Sequence, residues 1–399
     1  MKKIFSFLLS VIIFITAIPT VNAIYEQEKP SISASVNTSN KVSKPSVSAE
    51  AFILYCADNG QVIYSSNENK KMKPASTTKL MTTLITLEEA DSLNKTVTFT
   101  KEMIAEGSSI YLKVGDKLTL RDLAAGMMMA SGNDAANAAA LSISGSSEKF
   151  AQRMNEKAKQ IGMKSTNFVT PSGLDDDNHY TNAYDLAILM SYALENEDFA
   201  ELTAQKSATI KFIEPSSRQT TYTNHNRLLS LYDYCIGGKT GYTMAAGRCL
   251  VTAAKKDGLT LVCVTLNDKN DWNDHIDLYN YGFEQLFCYE TTDKDFFADI
   301  PCVGGENSNN SNADFVTVTG EKNTAIILPM ADKNKIERKI MLDNFLYAPI
   351  KENEFVGKIN YLINGKVIET VNIIAINKIN SKKEVKTIFT FIKELFTYG

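Results

Sequence analysis

The chain has 399 residues, of which 44% are hydrophobic, and a formal net charge of −4. This hydrophobic fraction is typical of globular proteins, and the length predicts two or three domains. The negative net charge argues against a polyanionic partner such as nucleic acid.

The N-terminus has the pattern of a secretory signal. Lys2 and Lys3 form a basic start, the following stretch up to residue 19 is apolar, and Val21-Asn22-Ala23 offers a small-residue cleavage site. We therefore interpret residues 1–23 as a signal peptide. A retained N-terminal anchor is the alternative, although the apolar stretch is short for a membrane span.

A polar segment precedes the first predicted structure. Residues 24–47 are rich in Ser, Pro, Lys and Asn, which predicts a disordered linker. Apolar runs at 51–56 and 61–65, joined through Asp58-Asn59-Gly60, then predict a hairpin.

The first chemically suggestive motif is Ser76-Thr77-Thr78-Lys79. A helix is predicted from Pro74 to Glu89, because Pro suits a first turn and leucines form an apolar stripe at Leu80, Leu84 and Leu87. Positions i and i+3 share a helix face, so Lys79 can bring its amine to the hydroxyl of Ser76. The amine acts as a base only if burial or a second cation, such as Lys239, lowers its pKa. Alone, the motif also fits an ordinary helix start.

The second motif is Ser131-Gly132-Asn133, where an apolar run ends and an alanine-rich helix follows. Asn133 or Asp134 can cap that helix, so the motif fits a simple turn. The functional alternative is that Ser131 relays a proton and Asn133 hydrogen-bonds a substrate. Helical spacing recurs at 150–161 and 183–194.

The third motif, Lys239-Thr240-Gly241, precedes two apolar runs at 248–254 and 259–266. Asp257-Gly258 between them predicts a hairpin. The motif is therefore expected on a neighbouring strand at a sheet edge, where an extended peptide could add as a further strand. Lys239 and Thr240 could hold a carboxylate there, and Gly241 allows close backbone approach.

Six cysteines lack close, regular spacing, and several lie in apolar runs typical of buried free thiols. We therefore expect thiols, although export would permit disulfides. Cys249 and Cys263 are roughly equidistant from Asp257-Gly258 and could face each other across the hairpin.

The C-terminal part has a different texture. Residues 291–380 contain short alternating runs, including a hairpin at Asn364-Gly365, and predict a small all-β domain for spacing or protein contact. Residues 381–399 return to helical spacing, with an apolar stripe of Val385, Ile388, Phe389, Ile392, Leu395 and Phe396. This segment is too short and too charged to span a bilayer, so we expect an amphipathic helix on the membrane surface. A core helix of the β-domain is the alternative.

In this order, the three motifs resemble the S-x-x-K, serine-triplet and K-T-G set of penicillin-interacting serine D,D-peptidases. The S-G-N form resembles the low-molecular-mass D-alanyl-D-alanine carboxypeptidases. The resemblance covers residues 48–290, including Pro171-Ser172-Gly173-Leu174. It implies an α+β fold of the serine β-lactamase-like type, with an antiparallel sheet flanked by helices, followed by the small all-β domain.

The resemblance also implies a function. The protein would remove the terminal D-alanine from peptidoglycan stem peptides through an acyl-enzyme, would bind β-lactams, and would need no cofactor or metal. The expected location is the outer face of the cytoplasmic membrane or the cell wall. Ser76 would be the nucleophile, Lys79 the base and Ser131 the proton relay. The substrate-binding residues implied are Asn133, Lys239, Thr240, Gly241 and Tyr242, with backbone N–H groups of Ser76 and Tyr242 as the oxyanion hole.

Other functions remain as alternatives. A class A β-lactamase would carry S-D-N and an E-x-x-L-N loop, and neither is present. A D,D-endopeptidase and a non-catalytic penicillin-binding or wall-binding protein are compatible with the motifs. A zinc peptidase and a Ser-His-Asp hydrolase are disfavoured, because H-E-x-x-H and G-x-S-x-G do not occur. His179 and His225 are expected to be structural or rim residues.

Overall fold

The structure is a computed structural model that describes residues 24–25, 43–93, 96–306 and 314–382. The predicted signal peptide, most of the predicted linker and nearly all of the predicted C-terminal helix lie outside these residues. The chain forms two compact units. The larger contains the described residues from 43 to Tyr289 together with Ala325–Lys333, and the smaller contains the remainder.

The larger unit contains both strands and helices, whereas strands dominate the smaller one. The strands, in chain order, are β1 (Ile24–Tyr25), β2 (Ala51–Cys56), β3 (Val62–Ser66), β4 (Thr96–Thr98), β5 (Lys117–Thr119), β6 (Ser207–Lys211), β7 (Gln219–Thr223), β8 (Cys235–Thr243), β9 (Gly247–Lys256), β10 (Leu259–Leu266), β11 (Leu286–Glu290), β12 (Phe297–Val303), β13 (Asp314–Gly320), β14 (Ala325–Pro329), β15 (Ile336–Leu342), β16 (Leu346–Tyr347), β17 (Phe355–Ile363) and β18 (Lys366–Ala375). The α-helices are α1 (Lys79–Leu93), α2 (Leu120–Met129), α3 (Asn133–Ser144), α4 (Ser147–Gln160), α5 (Ala183–Ala193), α6 (Glu197–Ala204), α7 (Leu228–Leu231) and α8 (Asp271–Gln285).

The larger unit is built on one antiparallel sheet in the order β3-β2-β10-β9-β8. Alternate residues of its strands enter two separate cores, because successive side chains of a strand point to opposite faces. Ile53 packs in the core formed with α1 and α5, whereas Leu54 packs in the core formed with α8. Helices therefore cover both faces, which confirms the predicted sandwich, and β8 is left as an edge strand.

The hairpin of β9 and β10 turns at Asp257 and Gly258, both with positive φ, as the sequence predicted. The prediction that Cys249 and Cys263 face each other is wrong. The register pairs Cys249 with Leu266 and Cys263 with Thr252. The two thiols lie in the cores on opposite faces of the sheet and remain unbridged.

Several predicted helices form close to the expected bounds. Asn182 begins α5 by accepting a hydrogen bond from the N–H of Asp185, and Ser146 begins α4 in the same way. The helix predicted to begin at Pro74 begins instead at Lys79. Residues Ala75–Thr78 form a 3-10 turn, and Ala75 has a φ of 48°, a left-handed conformation that an α-helix excludes.

The smaller unit contains a mostly antiparallel sheet in the order β1-β15-β17-β18-β13-β12-β16. Asn364 and Gly365 form the predicted turn between β17 and β18, with φ of 51° and 77°. One predicted run is misplaced: β14 pairs with β11 and belongs to the larger unit. Local alternation identifies a strand but not its partner, which explains this error. Within the described part of the chain, no helix has the length and apolar character needed to cross a membrane.

Candidate active site

The turn that carries Ser76 is held in a strained conformation by its neighbours. Ala75 adopts its positive φ in a buried position, and Gly173 lies so close that a Cβ there would come within 1.9 Å of the Ala75 carbonyl oxygen. The Thr77 hydroxyl donates to the carbonyl of Pro74 at 2.7 Å. Backbone strain of this kind persists only where the surroundings impose it, and it is common at functional sites.

His179 holds the same turn from the other side. Its Nδ1 accepts hydrogen bonds from the N–H groups of Val169 and Thr170, at 3.1 and 3.2 Å. The ring proton must therefore lie on Nε2, which is 2.9 Å from the hydroxyl oxygen of Thr78. Burial lowers the pKa of His179 to about 4, so the ring is neutral at physiological pH. His179 is thus a structural residue, as predicted.

Lys79 is fully buried and makes three short contacts. Its Nζ lies 2.9 Å from Ser76 Oγ, 2.7 Å from Asn133 Oδ1 and 2.7 Å from the carbonyl oxygen of Ser172. Burial lowers its pKa well below the usual value, the charge of Lys239 lowers it further, and Asp134 opposes the shift. Burial and a second cation are the two causes that the sequence analysis named as able to lower the pKa of Lys79.

These contacts define where the lone pair of a neutral Lys79 points. The oxygens of Asn133 and Ser172 can only accept hydrogen bonds, so they take the two amine protons. The remaining direction faces Ser76, whose hydroxyl can donate. The arrangement therefore allows proton transfer from the hydroxyl to the amine.

The second motif lies at the junction of α2 and α3. Ser131 has a φ of 57°, is almost completely buried and lines the cleft in front of Ser76. Asn133 begins α3, and its Nδ2 donates to the carbonyl of Glu106 at 2.7 Å while its Oδ1 faces Lys79. Asn133, which the resemblance assigned to substrate binding, is therefore a hydrogen-bond partner of Lys79 in this structure.

Strand β8 forms the opposite wall. Lys239 is buried, and its Nζ donates to the carbonyl of Thr240 at 2.9 Å. Burial lowers the pKa of Lys239 to about 7. Gly241 lies against the turn that carries Ser76: a Cβ on Gly241 would be 3.0 Å from the amide nitrogens of Ser76 and Thr77. The following residue, Tyr242, exposes about two thirds of its surface (65%).

The cleft between these walls has a volume of about 500 Å³. It brings together Ser76, Ser131, Thr240 and Gly241 from the three motifs, and Tyr242, which directly follows the third. It also contains residues that sequence reasoning missed or left at the rim, namely Ser108, His225, Arg248, Cys249, Asp271 and Trp272. A group of three or more side chains able to hold a metal ion does not occur among the described residues.

Arg248 is the most informative of the missed residues. Its Nε donates to Asp271 Oδ2 at 3.0 Å and its Nη2 donates to Oδ1, so the pair is bidentate. Asp271 is almost fully buried, whereas the Arg248 side chain is 47% exposed. In the ladder between β8 and β9, Arg248 lies opposite Tyr242. Asp271 belongs to α8, and only the position of that helix brings its carboxylate to Arg248.

Comparisons with known proteins agree with this geometry. Residues 38–270 match a family described as D-alanyl-D-alanine carboxypeptidase, and residues 303–381 match the C-terminal domain of penicillin-binding protein 5. The chain is 30% identical to D-alanyl-D-alanine carboxypeptidase DacF of Bacillus subtilis over 356 residues, which cover 86% of this chain and 88% of the relative. It is 31% identical to DacC of Escherichia coli over 377 residues, covering 89% and 90%.

Solved structures give the same result for the fold. The chain is similar to penicillin-binding protein 5 from Haemophilus influenzae with a TM-score of 0.64 and 25% identity, covering 85% of this chain and all of that one. It is also similar to the Streptomyces K15 DD-transpeptidase with a TM-score of 0.58 and 32% identity, covering 61% and 99%.

Proposed function

The chain belongs to the family of D-alanyl-D-alanine carboxypeptidases, penicillin-binding serine peptidases of cell-wall metabolism, and from this premise we propose how its residues share the reaction. It acts as a serine-type carboxypeptidase that removes the terminal D-alanine from peptidoglycan stem peptides. The observation that carries the assignment of roles is the contact of Lys79 with Ser76 at 2.9 Å, with its two other contacts made to carbonyl oxygens.

In the proposed acylation, Ser76 Oγ attacks the carbonyl between the two terminal D-alanines while the neutral amine of Lys79 takes the hydroxyl proton. The resulting oxyanion accepts hydrogen bonds from the N–H groups of Ser76 and Tyr242. As the C–N bond breaks, Ser131 passes the proton from Lys79 to the departing amine, and D-alanine leaves. Water then attacks the ester, and the proton returns to Ser76.

The substrate is proposed to bind as an extended strand along the free edge of β8. Its main chain would pair with that edge, as in other cases of β-strand addition. Its terminal carboxylate would bind Lys239 and Thr240, with Arg248 as an additional cation in the same cleft. Asn133 would orient Lys79 and contact the peptide once substrate enters.

The same acyl-enzyme would also form in a D,D-endopeptidase, a β-lactamase or a penicillin-binding protein without turnover. Mass spectrometry of a stem pentapeptide incubated with the protein lacking residues 1–23 distinguishes these functions. We expect the loss of one alanine, and no such loss with Ser76→Ala. Cleavage of cross-linked dimers alone, hydrolysis of penicillin alone, or acylation without product release would each contradict the carboxypeptidase assignment.

We also propose that the protein is exported and is held at the outer face of the membrane by residues 381–399. The signal-like pattern of residues 1–23 and the apolar stripe of the C-terminal segment support this location. Truncation after Ser381 should leave a penicillin-binding protein that no longer sediments with liposomes. Loss of penicillin acylation on truncation would instead assign the segment to the folded core.

A further inference from the structure

The sheet of the smaller unit exposes a group of large apolar side chains at one edge, which we call the aromatic patch. Its members are Pro301, Val303, Phe315, Phe345 and Tyr347. The exposed fractions are 50% for Val303, 49% for Phe315, 46% for Phe345 and 68% for Tyr347. Large apolar groups exposed together in this way require a reason that single exposed residues do not.

The register shows that the patch is continuous. Pro301 lies opposite Phe315, and Val303 lies beside Tyr347 on the edge strand β16. Pro301 and Val303 are two residues apart and share one face of β12. The rings of Phe345 and Tyr347 are 5.4 Å apart, edge to face. Neighbouring strands therefore present one apolar surface, while Ile300 and Cys302 point to the buried face.

The last described residues of the chain lie beside this patch. The N–H of Glu306 donates to the carbonyl of Asn380, and the N–H of Lys382 donates to the carbonyl of Gly304, at 2.8 Å in both cases. Lys382 therefore lies next to the end of β12 that carries Val303. The residues that follow it in the sequence hold the apolar stripe of six side chains already described, from Val385 to Phe396.

The charges of the chain around Lys382 are mostly positive, although two exposed acidic residues, Glu306 and Asp343, lie near the patch. Residues 378–386 contain lysines at four positions against a single acidic residue, Glu384; they are Lys378, Lys382, Lys383 and Lys386. On the patch face itself, Asp299 is exposed and accepts a hydrogen bond from Thr317, which limits the apolar surface to the end of β12 that carries Val303. Aromatic side chains beside lysines suit the headgroup region of an anionic bilayer.

We infer that the aromatic patch is a second membrane contact, inserted shallowly into an anionic bilayer beside the C-terminal segment. The inference rests on the proposed anchoring by residues 381–399. A single weak membrane signal gives only marginal binding, and two adjacent signals give stable binding. Because Lys382 lies beside the patch, the patch and the segment that begins there can reach one surface without a long linker.

The test compares variants of the chain lacking residues 1–23 on vesicles of phosphatidylglycerol and phosphatidylethanolamine. We expect the double variant Val303→Ser, Tyr347→Ser to lower the partition coefficient by about tenfold with the C-terminal segment intact. The matched control is Val367→Ser, a valine of similar exposure (44%) in the β17–β18 hairpin, which should bind as wild type. Penicillin acylation should be unchanged in every variant, which verifies the fold of the larger unit. The thermal unfolding transition of each variant should lie near that of wild type, which verifies the fold of the smaller unit.

Truncation after Lys382 separates this inference from the proposed anchor. If truncation abolishes sedimentation with vesicles but leaves a weak residual partition that the patch variant removes, both stand. If truncation has no effect and the patch variant still weakens binding, the anchor proposal fails and the patch inference stands. The inference is overturned if the patch variant binds like Val367→Ser. It is also overturned if the variant binds vesicles more tightly, because the segment itself then covers the patch, or if it changes only self-association in sedimentation equilibrium.

Discussion

Gly241 lies directly against the turn of Ser76: a Cβ on Gly241 would be 3.0 Å from the Ser76 amide nitrogen and 3.0 Å from the Pro74 carbonyl oxygen. The third motif therefore favours glycine, because any side chain at this position would press on the turn of Ser76. We propose that the amide of Ser76 and the amide of Tyr242, the residue that follows Gly241 on the same strand, together form the oxyanion hole.

Gly241→Ala should slow acylation by penicillin by about 10- to 100-fold, since even a small displacement of the turn misaligns the nucleophile and the oxyanion donors. The measurement is the rate of adduct formation by stopped-flow or mass spectrometry. The control is Gly145→Ala, where the added Cβ meets open space and the φ of 79° makes the change costly for stability. This variant should be destabilised but should keep the acylation rate of wild type. Equal acylation by Gly241→Ala and wild type would contradict the oxyanion-hole geometry.

Ser76 should carry the covalent adduct. Labelled penicillin is expected to add one equivalent to the protein, and peptide mapping should place it on Ser76. Ser76→Ala should abolish labelling while its thermal unfolding stays near that of wild type, because Oγ contacts Lys79 but fills little volume. A label on Ser131 or Ser108, the other serines of the cleft, would end the assignment.

Lys79 and Lys239 should respond differently to arginine. Lys79→Arg retains the charge but cannot deprotonate, so acylation should fall by at least about 100-fold. Lys239→Arg retains a cation for the carboxylate and should keep more activity, although both sites are buried and arginine is larger. Rates of acylation by penicillin decide between them. If Lys79→Arg were the milder change, the proposed division of roles would be wrong.

The pH profile of kcat/KM should have limbs from both lysines. Acylation needs a neutral Lys79, so the rate should fall as pH drops through its lowered pKa. Carboxylate binding needs a charged Lys239, whose pKa is about 7, so affinity should fall as pH rises above about 7. A substrate with a terminal amide in place of the carboxylate should lose the alkaline limb. Persistence of that limb with the amide would exclude Lys239 as its source.

Arg248 should contribute to substrate binding rather than to chemistry. Arg248→Ala should raise KM about tenfold with little change in kcat. The variant loses the proposed charged hydrogen bond between the partly exposed Arg248 and the substrate carboxylate. Asp271→Asn should have a smaller effect in the same direction, since it weakens only the orientation of the guanidinium. Lys255→Ala removes an exposed charge from the same strand and is the control. A fall in kcat at constant KM would contradict this role.

Much of the site could be predicted because its chemistry is local. Ser76 and Lys79 are three residues apart, so any helical turn brings them together, and the structure does so with a 3-10 turn. Asp257-Gly258 determines the hairpin, which in turn places Lys239 on the neighbouring edge strand. The hairpin of β17 and β18 likewise follows from the Asn364-Gly365 turn.

Tertiary structure alone decided the contacts between distant segments. The sequence could not show that Asn133 and the Ser172 carbonyl hold Lys79, because both groups are far from Lys79 along the chain. Only the packing of the folded chain brings them to its amine. It could not place Asp271 against Arg248, or separate Cys249 from Cys263 on two faces of the sheet. Periodicity determines which face of an element is apolar. The packing of one face on another determines which polar groups lose water. It therefore determines the lowered pKa of Lys79, on which the proposed chemistry depends.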